Sequence, residues 1–307
     1  MIAFVFPGQG AQAVGMGRAL ADQFEVCAKT FAEADAALGE SLSDLIFNGP
    51  MDRLTLTENT QPAILTMSVA VCRLLDQKGI KPAFVAGHSL GEYSAHVAAG
   101  TLAFADAVRL VRNRGRYMQE AVPVGAGAMA AILGLDEAGV NQACEEAAQG
   151  EVVSAANLNG AGQIVIAGTA AAVARAGERA KALGARRAIP LTVSAPFHCA
   201  LMKPAAVRLT PELHAVAARD PRVPVVANVD GEPKRTAAAS IDALIKQIAS
   251  PVRWEDVVQR LAKEGVSRYV EVGPGKALSG MIKRIVSGAI IQNVESPGDL
   301  ATLETIS

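Results

Sequence analysis

Cysteine is scarce in this chain: Cys27, Cys72, Cys144 and Cys199 are the four among 307 residues. They form no Cys-x-x-Cys pair and have no regular spacing. They therefore do not read as a disulfide framework or a zinc site, but as the reduced thiols of a cytoplasmic protein. An excess of either charge is also missing, with 29 Lys and Arg against 30 Asp and Glu and a net charge of −1. Neither nucleic acid nor an anionic membrane is expected as a partner. No apolar run approaches the roughly 18 residues of a membrane span. No basic segment and apolar stretch follow Met1, so no secretory signal is expected. Aromatic residues make up 4%, and heptads, repeats and low-complexity tracts are lacking. What remains is 50% hydrophobic and 19% charged, an ordinary soluble α/β composition. The length suffices for one large core or for two domains.

Residues 87–91 read Gly-His-Ser-Leu-Gly. The apolar run Ala83–Ala86 before them predicts a buried strand, and Glu92–Ala99 after them predicts a helix. A serine between a strand end and a helix start is a nucleophile elbow, so tight that only glycine fits at Gly87 and Gly91. The turn lifts the Ser89 hydroxyl clear of the sheet, and the helix N-terminus favours developing negative charge.

Helices and strands alternate along the chain, which predicts a mostly parallel sheet covered on both faces. Strands are expected at Ile2–Phe6, Ala83–Ala86, Val223–Ala227 and Arg268–Val272. Helices are expected at Thr60–Lys78, Ala103–Glu120, Lys203–Ala218, from Ile241, from Trp254 and at Ala277–Val286. Between Pro123 and Pro196 the pattern changes. Strand Ala128–Leu135 precedes helix Asp136–Ala148, capped by its aspartate. Strands Val152–Asn157 and Gln163–Ala167 flank an Asn159-Gly160 turn. Helix Thr169–Leu183 and strand Arg186–Val193 complete a β-α-β-β-α-β unit, the ferredoxin-like order. The expected organisation is a catalytic part made of residues 1–123 and 196–307, with residues 124–195 inserted as a small ferredoxin-like subdomain.

An alcohol is a poor nucleophile at neutral pH, so Ser89 needs a base. His88 adjoins the serine and points away at such a turn. His96 lies two helical turns on, about 10 Å along the axis. His214 belongs to a polar amphipathic helix. His198, in Ser194-Ala195-Pro196-Phe197-His198-Cys199, sits where the inserted unit returns to the sheet and suits the role best. No convincing acid completes a triad. A neutral carbonyl or amide oxygen would serve, since the imidazole needs only an acceptor for its Nδ1–H.

Taken together the motifs resemble the malonyl-CoA:acyl carrier protein transacylases of fatty acid synthesis, from end to end. They are Phe6-Pro7-Gly8-Gln9-Gly10, Thr60-Gln61-Pro62, Gly87 to Tyr93, Arg114-Gly115, Gly162 to Gly168, Pro196-Phe197-His198 and Glu271 to Gly275. The resemblance implies an α/β-hydrolase-like large subdomain with a ferredoxin-like insertion. It implies malonyl transfer through an ester of Ser89 with His198 as base, and an oxyanion held by the N–H groups of Gln9 and Leu90. Arg114 matches the arginine that binds the malonyl carboxylate, and Gln61 would line the pocket. Gln247 matches the glutamine near the histidine and suits the acceptor role. Phe197 replaces the small serine of many stand-alone members and resembles malonyl-type polyketide synthase domains, so a 2-methyl branch should be disfavoured. The Glu271–Gly275 turn is expected to shape the fold. Malonyl-CoA and an acidic acyl carrier protein are the implied partners. Lys276, Lys283 and Arg284, or else Arg186 and Arg187, are candidates for the carrier's docking rim. No metal or cofactor is implied, and a monomer is the default. The rivals are a discrete acyltransferase of a polyketide synthase or malonate decarboxylase system, and a serine esterase or thioesterase.

Overall fold

A computed structural model describes residues 1–193 and 195–303; Ser194 and residues 304–307, at the ends of the two expected parts, lie outside the described residues. The strands are β1 (Ile2–Phe6), β2 (Phe84–Gly87), β3 (Gly127–Leu133), β4 (Val153–Leu158), β5 (Gln163–Thr169), β6 (Arg187–Pro190), β7 (Val225–Val226), β8 (Pro233–Lys234), β9 (Arg268–Val272) and β10 (Ile290–Val294). They form two sheets, in the orders β10-β9-β1-β2-β7-β8 and β4-β5-β3-β6.

The larger sheet is parallel from β10 to β7, and β8 alone is antiparallel. Successive side chains of a strand point to opposite faces, and β1 shows why both faces must be covered. Phe4 and Phe6 join one core with Leu65 and Val108, whereas Ala3 and Val5 join another with Trp254 and Leu261. Helices Thr57–Gln77 and Phe104–Glu120 supply the first layer, and Trp254–Lys263 and Ala277–Ile285 the second.

The smaller sheet is antiparallel and carries helices Glu137–Ala148 and Ala170–Ala182 against one face. Its order is that of the ferredoxin-like arrangement predicted from the alternating elements. As expected, the Asp136 carboxylate accepts from Gly139 N–H at 2.8 Å. The other face packs Met129, Ala131 and Val165 against Phe197, Cys199 and Leu201. The smaller sheet is tied to the rest of the fold at Val252, just before helix Trp254–Lys263: its N–H donates to Ala156 C=O at 2.8 Å, and its C=O accepts from Leu158 N–H at 2.8 Å. β4 is the edge strand of its sheet, so backbone groups on its outer side are free for this bridge.

Several boundaries differ from the sequence reading. The expected strand Val223–Ala227 shrinks to β7, because Pro224 has no N–H to donate to a ladder. The long helix starts at Thr57, not Thr60: Thr57 and Asn59 look like loop residues but are 1% and 7% exposed beneath the site. The strand expected to run to Val193 ends at Pro190, where pairing with β3 ends. The Asn159-Gly160 turn is wider than two residues, with Gly160, Ala161 and Gly162 all at positive φ. Four helices between Arg18 and Thr55, and the edge strand β10, had no clear signal. Three of those helices have seven residues or fewer, Glu25–Leu38 has 14, and half-buried β10 follows its neighbour β9 rather than a sharp alternation of its own. Among the described residues no helix is long and apolar enough to cross a membrane.

Candidate active site

Ser89 stands where β2 passes into helix Leu90–Ala98, with φ 52° and ψ −108°. Such a conformation costs about 1–3 kcal/mol for a non-glycine residue and persists only when its surroundings enforce it. The glycines on either side make the turn possible. A Cβ on Gly87 would lie 2.0 Å from the Gly91 carbonyl, and one on Gly91 would lie 2.0 Å from Phe6 O. Asn228, at the carboxyl edge beyond β7, clamps the turn. Its Oδ1 accepts from Ser89 N–H at 2.7 Å, and its Nδ2 donates to Gly87 C=O at 2.7 Å.

Ser89 Oγ lies 2.6 Å from His198 Nε2. His198 Nδ1 lies 3.0 Å from the backbone carbonyl oxygen of Gln247. A carbonyl can only accept, so Nδ1 carries the proton and Nε2 is left to receive the serine's. The acceptor predicted for the imidazole is thus the main chain of Gln247, not its side-chain amide. Burial first, and the Arg114 charge second, hold the imidazole down to about 3. It is therefore a neutral base near pH 7.

Arg114 is 2% exposed. Its Nη1 donates to Gln61 Oε1 at 2.7 Å, and its Nη2 donates to Gln247 Oε1 at 2.9 Å and Ser89 Oγ at 3.2 Å. Each of these partners is neutral. A buried guanidinium held only by neutral acceptors has room for an anion beside the serine. The other arginines of this helix turn outward, Arg109 to Asp106, Arg112 to Glu40 and Arg116 to Asn113.

These groups open on a cavity of about 160 Å³ lined by Gln9, Gln61, Ser89, Leu90, Arg114 and Phe197. Among the described residues the backbone N–H groups of Gln9 and Leu90 meet no acceptor. Gln9 instead anchors its side chain, whose Oε1 accepts from the Thr57 hydroxyl at 2.6 Å. Phe197 forms the apolar wall with Met118 and Met129. The arrangement can transfer a proton from a serine hydroxyl, receive an oxyanion and bind a second negative charge. His88 points away, as expected, with Nε2 3.0 Å from Asn159 Oδ1. His214 is exposed, and His96 is fully buried in its own helix without reaching Ser89.

Two residues escaped the sequence reading. Asn228 had only a weak signal, a polar residue ending the apolar run from Val225. Glu92 stands within the elbow motif but is 0% exposed, and nothing in the sequence showed that it faces inward. Among the described residues no group of three or more His, Cys, Asp or Glu side chains could hold a metal.

The acyl transferase domain family matches residues 3–297. The chain is 54% identical over 300 residues to the malonyl CoA-acyl carrier protein transacylase of Escherichia coli, covering 97% of each. An acyl carrier protein S-malonyltransferase from Vibrio cholerae is similar in structure, with a TM-score of 0.97 and 50% identity, over 98% of this chain and 99% of that one. So is a malonyl-transacylase in complex with its type II PKS acyl-carrier protein, with a TM-score of 0.96, 49% identity and 99% of each chain covered. With the elbow, the base and the buried arginine assembled on this fold, the chain belongs to the acyl transferase domain family.

Proposed function

We propose that this chain moves the malonyl group of malonyl-CoA to the phosphopantetheine thiol of an acyl carrier protein in fatty acid synthesis. The observation that carries the reading is Arg114, a buried cation with neutral partners 3.2 Å from the serine hydroxyl. A malonyl thioester offers what that geometry asks for: an electrophilic carbonyl for Ser89 and a free carboxylate for the guanidinium fork. The names of the relatives support the same substrates.

In the first half-reaction Ser89 gives its proton to His198 Nε2 as Oγ attacks the thioester carbonyl. The N–H groups of Gln9 and Leu90 receive the oxyanion. The C–S bond breaks, and the departing coenzyme A sulfur takes the proton from His198. In the second half the pantetheine thiol gives its proton to His198 and its sulfur attacks the ester. The C–O bond then breaks and Ser89 recovers the proton. Both thiols arrive with the substrates, so the chemistry calls for no metal or redox group. Residues 1–123 and 196–307 form the catalytic part in this reading, and residues 124–195 the ferredoxin-like insertion. We take the protein as a cytoplasmic monomer, in keeping with its four free cysteines.

The similarity to a transacylase bound to a type II PKS carrier favours one second reading, in which the acceptor is a polyketide carrier protein. Intact-protein mass spectrometry after brief mixing with malonyl-CoA tests the chemistry. A malonyl adduct on wild type but not on Ser89→Ala is expected. Free malonate accumulating without an adduct would favour an esterase, and no reaction at all would reject the substrate. Thiol transfer to fatty acid and polyketide carrier proteins then separates the two acceptors.

A further inference from the structure

Glu92 lies in the first turn of the helix behind Ser89, is fully buried, and has no task in the steps above. Its Oε2 accepts two hydrogen bonds, from Asn228 N–H at 3.0 Å and from Gln247 Nε2 at 2.8 Å. Those two residues hold the rest of the site. Asn228 clamps the strained serine turn through both ends of its amide. Gln247 also donates from Nε2 to Ser89 C=O at 2.9 Å, accepts from Arg114 at Oε1, and receives His198 at its main-chain carbonyl.

An amide has one donating end and one accepting end. The end that faces Glu92 decides which end faces Arg114. Oε2 presents lone pairs to Gln247, so the amide turns its NH2 toward the carboxyl and its oxygen toward the guanidinium. The reversed amide would set oxygen against oxygen and NH2 against a buried cation. We propose that Glu92 is a positioning residue for the malonyl carboxylate: through the Gln247 amide it aims Arg114. The role rests on the malonyl-transfer reading.

The second carboxyl oxygen, Oε1, meets no hydrogen-bond partner among the described residues and lies 4.0 Å from His96 Nε2. Burial raises this carboxyl to about 7, with Asp230 adding to the effect and the bonds from Gln247 and Asn228 and the Arg114 charge opposing it. A proton on Oε1 leaves Oε2 an acceptor, so both protonation states keep the two bonds. An acceptor at that point is what matters, and a glutamine there can supply one.

The test compares serine ester formation from malonyl-CoA and from acetyl-CoA, followed by intact mass. Acetyl-CoA has no free carboxylate, so its transfer needs Ser89 and His198 but not an aimed Arg114. E92Q should keep both rates within a few-fold. Glu92→Leu should lower the malonyl rate about 100-fold, the scale on which a misplaced binding group acts. The acetyl rate should fall less than about tenfold, so the malonyl preference drops. An equal fall for both thioesters, or an E92Q as impaired as Glu92→Leu, would overturn the role. If Glu92→Leu does not fold, Glu92→Asp draws the oxygen back by one methylene. The same loss of preference is then expected, and an unchanged ratio rejects the role. A wild type that forms no malonyl ester would defeat the transfer reading itself. A wild type that prefers malonyl, beside Glu92→Leu and Glu92→Asp variants that keep the preference, would defeat Glu92 alone.

Discussion

Arg114 illustrates how one side chain can differ from its neighbours of the same type. Four arginines fall between positions 109 and 116, and only Arg114 turns into the cavity, because its helix packs that face beneath Gln61 and Ser89. Charge-assisted bonds contribute about 1.5–3 kcal/mol each, so Arg114→Ala should slow malonyl ester formation by about 100-fold or more. Acetyl ester formation should change little, and rapid-mix mass spectrometry of the two thioesters measures the difference. Equal losses would mean that Arg114 supports the fold and not the carboxylate. Phe197 acts on the other side of the same cavity. Its half-buried ring should exclude a 2-methyl branch, a discrimination of about 1–3 kcal/mol. Competition between malonyl-CoA and methylmalonyl-CoA should favour malonyl in the wild type, and Phe197→Ala should narrow the gap. Comparable wild-type turnover of both would refute this.

At the scale of elements, the site is made where parallel strands end. Gln9 follows β1, Ser89 follows β2 and Asn228 follows β7, all at the carboxyl edge of one sheet. The next strand of that edge does structural work, as the sequence suggested for the Glu271–Gly275 turn. Glu271 accepts from Leu278 N–H at 3.1 Å and Ser279 N–H at 2.8 Å, satisfying the first turn of helix Ala277–Ile285. That helix carries the exposed Lys283 and Arg284, and Arg284 reaches Gln163 Oε1 of β5 at 2.9 Å. Lys276 instead sits 3.6 Å from Glu295, so its charge is partly answered. An acidic carrier would be drawn to the free end of this helix. Changing Lys283 and Arg284 together to Glu should raise the carrier's apparent KM about tenfold at low salt and leave that of malonyl-CoA alone. An unchanged carrier KM would move the docking surface elsewhere, with exposed Arg186 and Arg187 next in line.

For the whole molecule, the buried titratable groups set how stability follows pH. His96 and His198 are both held down to about 3 from 6.5. A lowered histidine is neutral in the fold and takes up its proton on unfolding, so its contribution is intact above about 6.5 and lost as pH falls toward 3. Glu92, raised from 4.5 to about 7, has the opposite sign: its contribution is intact below about 4.5 and lost as pH rises through 7. The two oppose each other between these values, so His96→Leu isolates the histidine. The wild-type melting temperature should fall relative to that of His96→Leu as pH drops from about 7 to 4.5, read by thermal unfolding of both. A constant gap would mean that His96 is not held neutral. How much of this was legible in the sequence depended on how local each cause is. The nucleophile elbow, the ferredoxin-like order and the catalytic part's alternation rest on short-range sterics and hydrophobic period, and the sequence by itself determined them. The pairing of Ser89 with His198 was legible through motif order across 109 positions. Only the tertiary structure decided that a backbone carbonyl holds the imidazole, because a main-chain oxygen leaves no mark in a sequence. It alone decided that Asn228 and Glu92 belong to the site, since burial and hydrogen-bond direction arise when distant segments meet at one sheet edge.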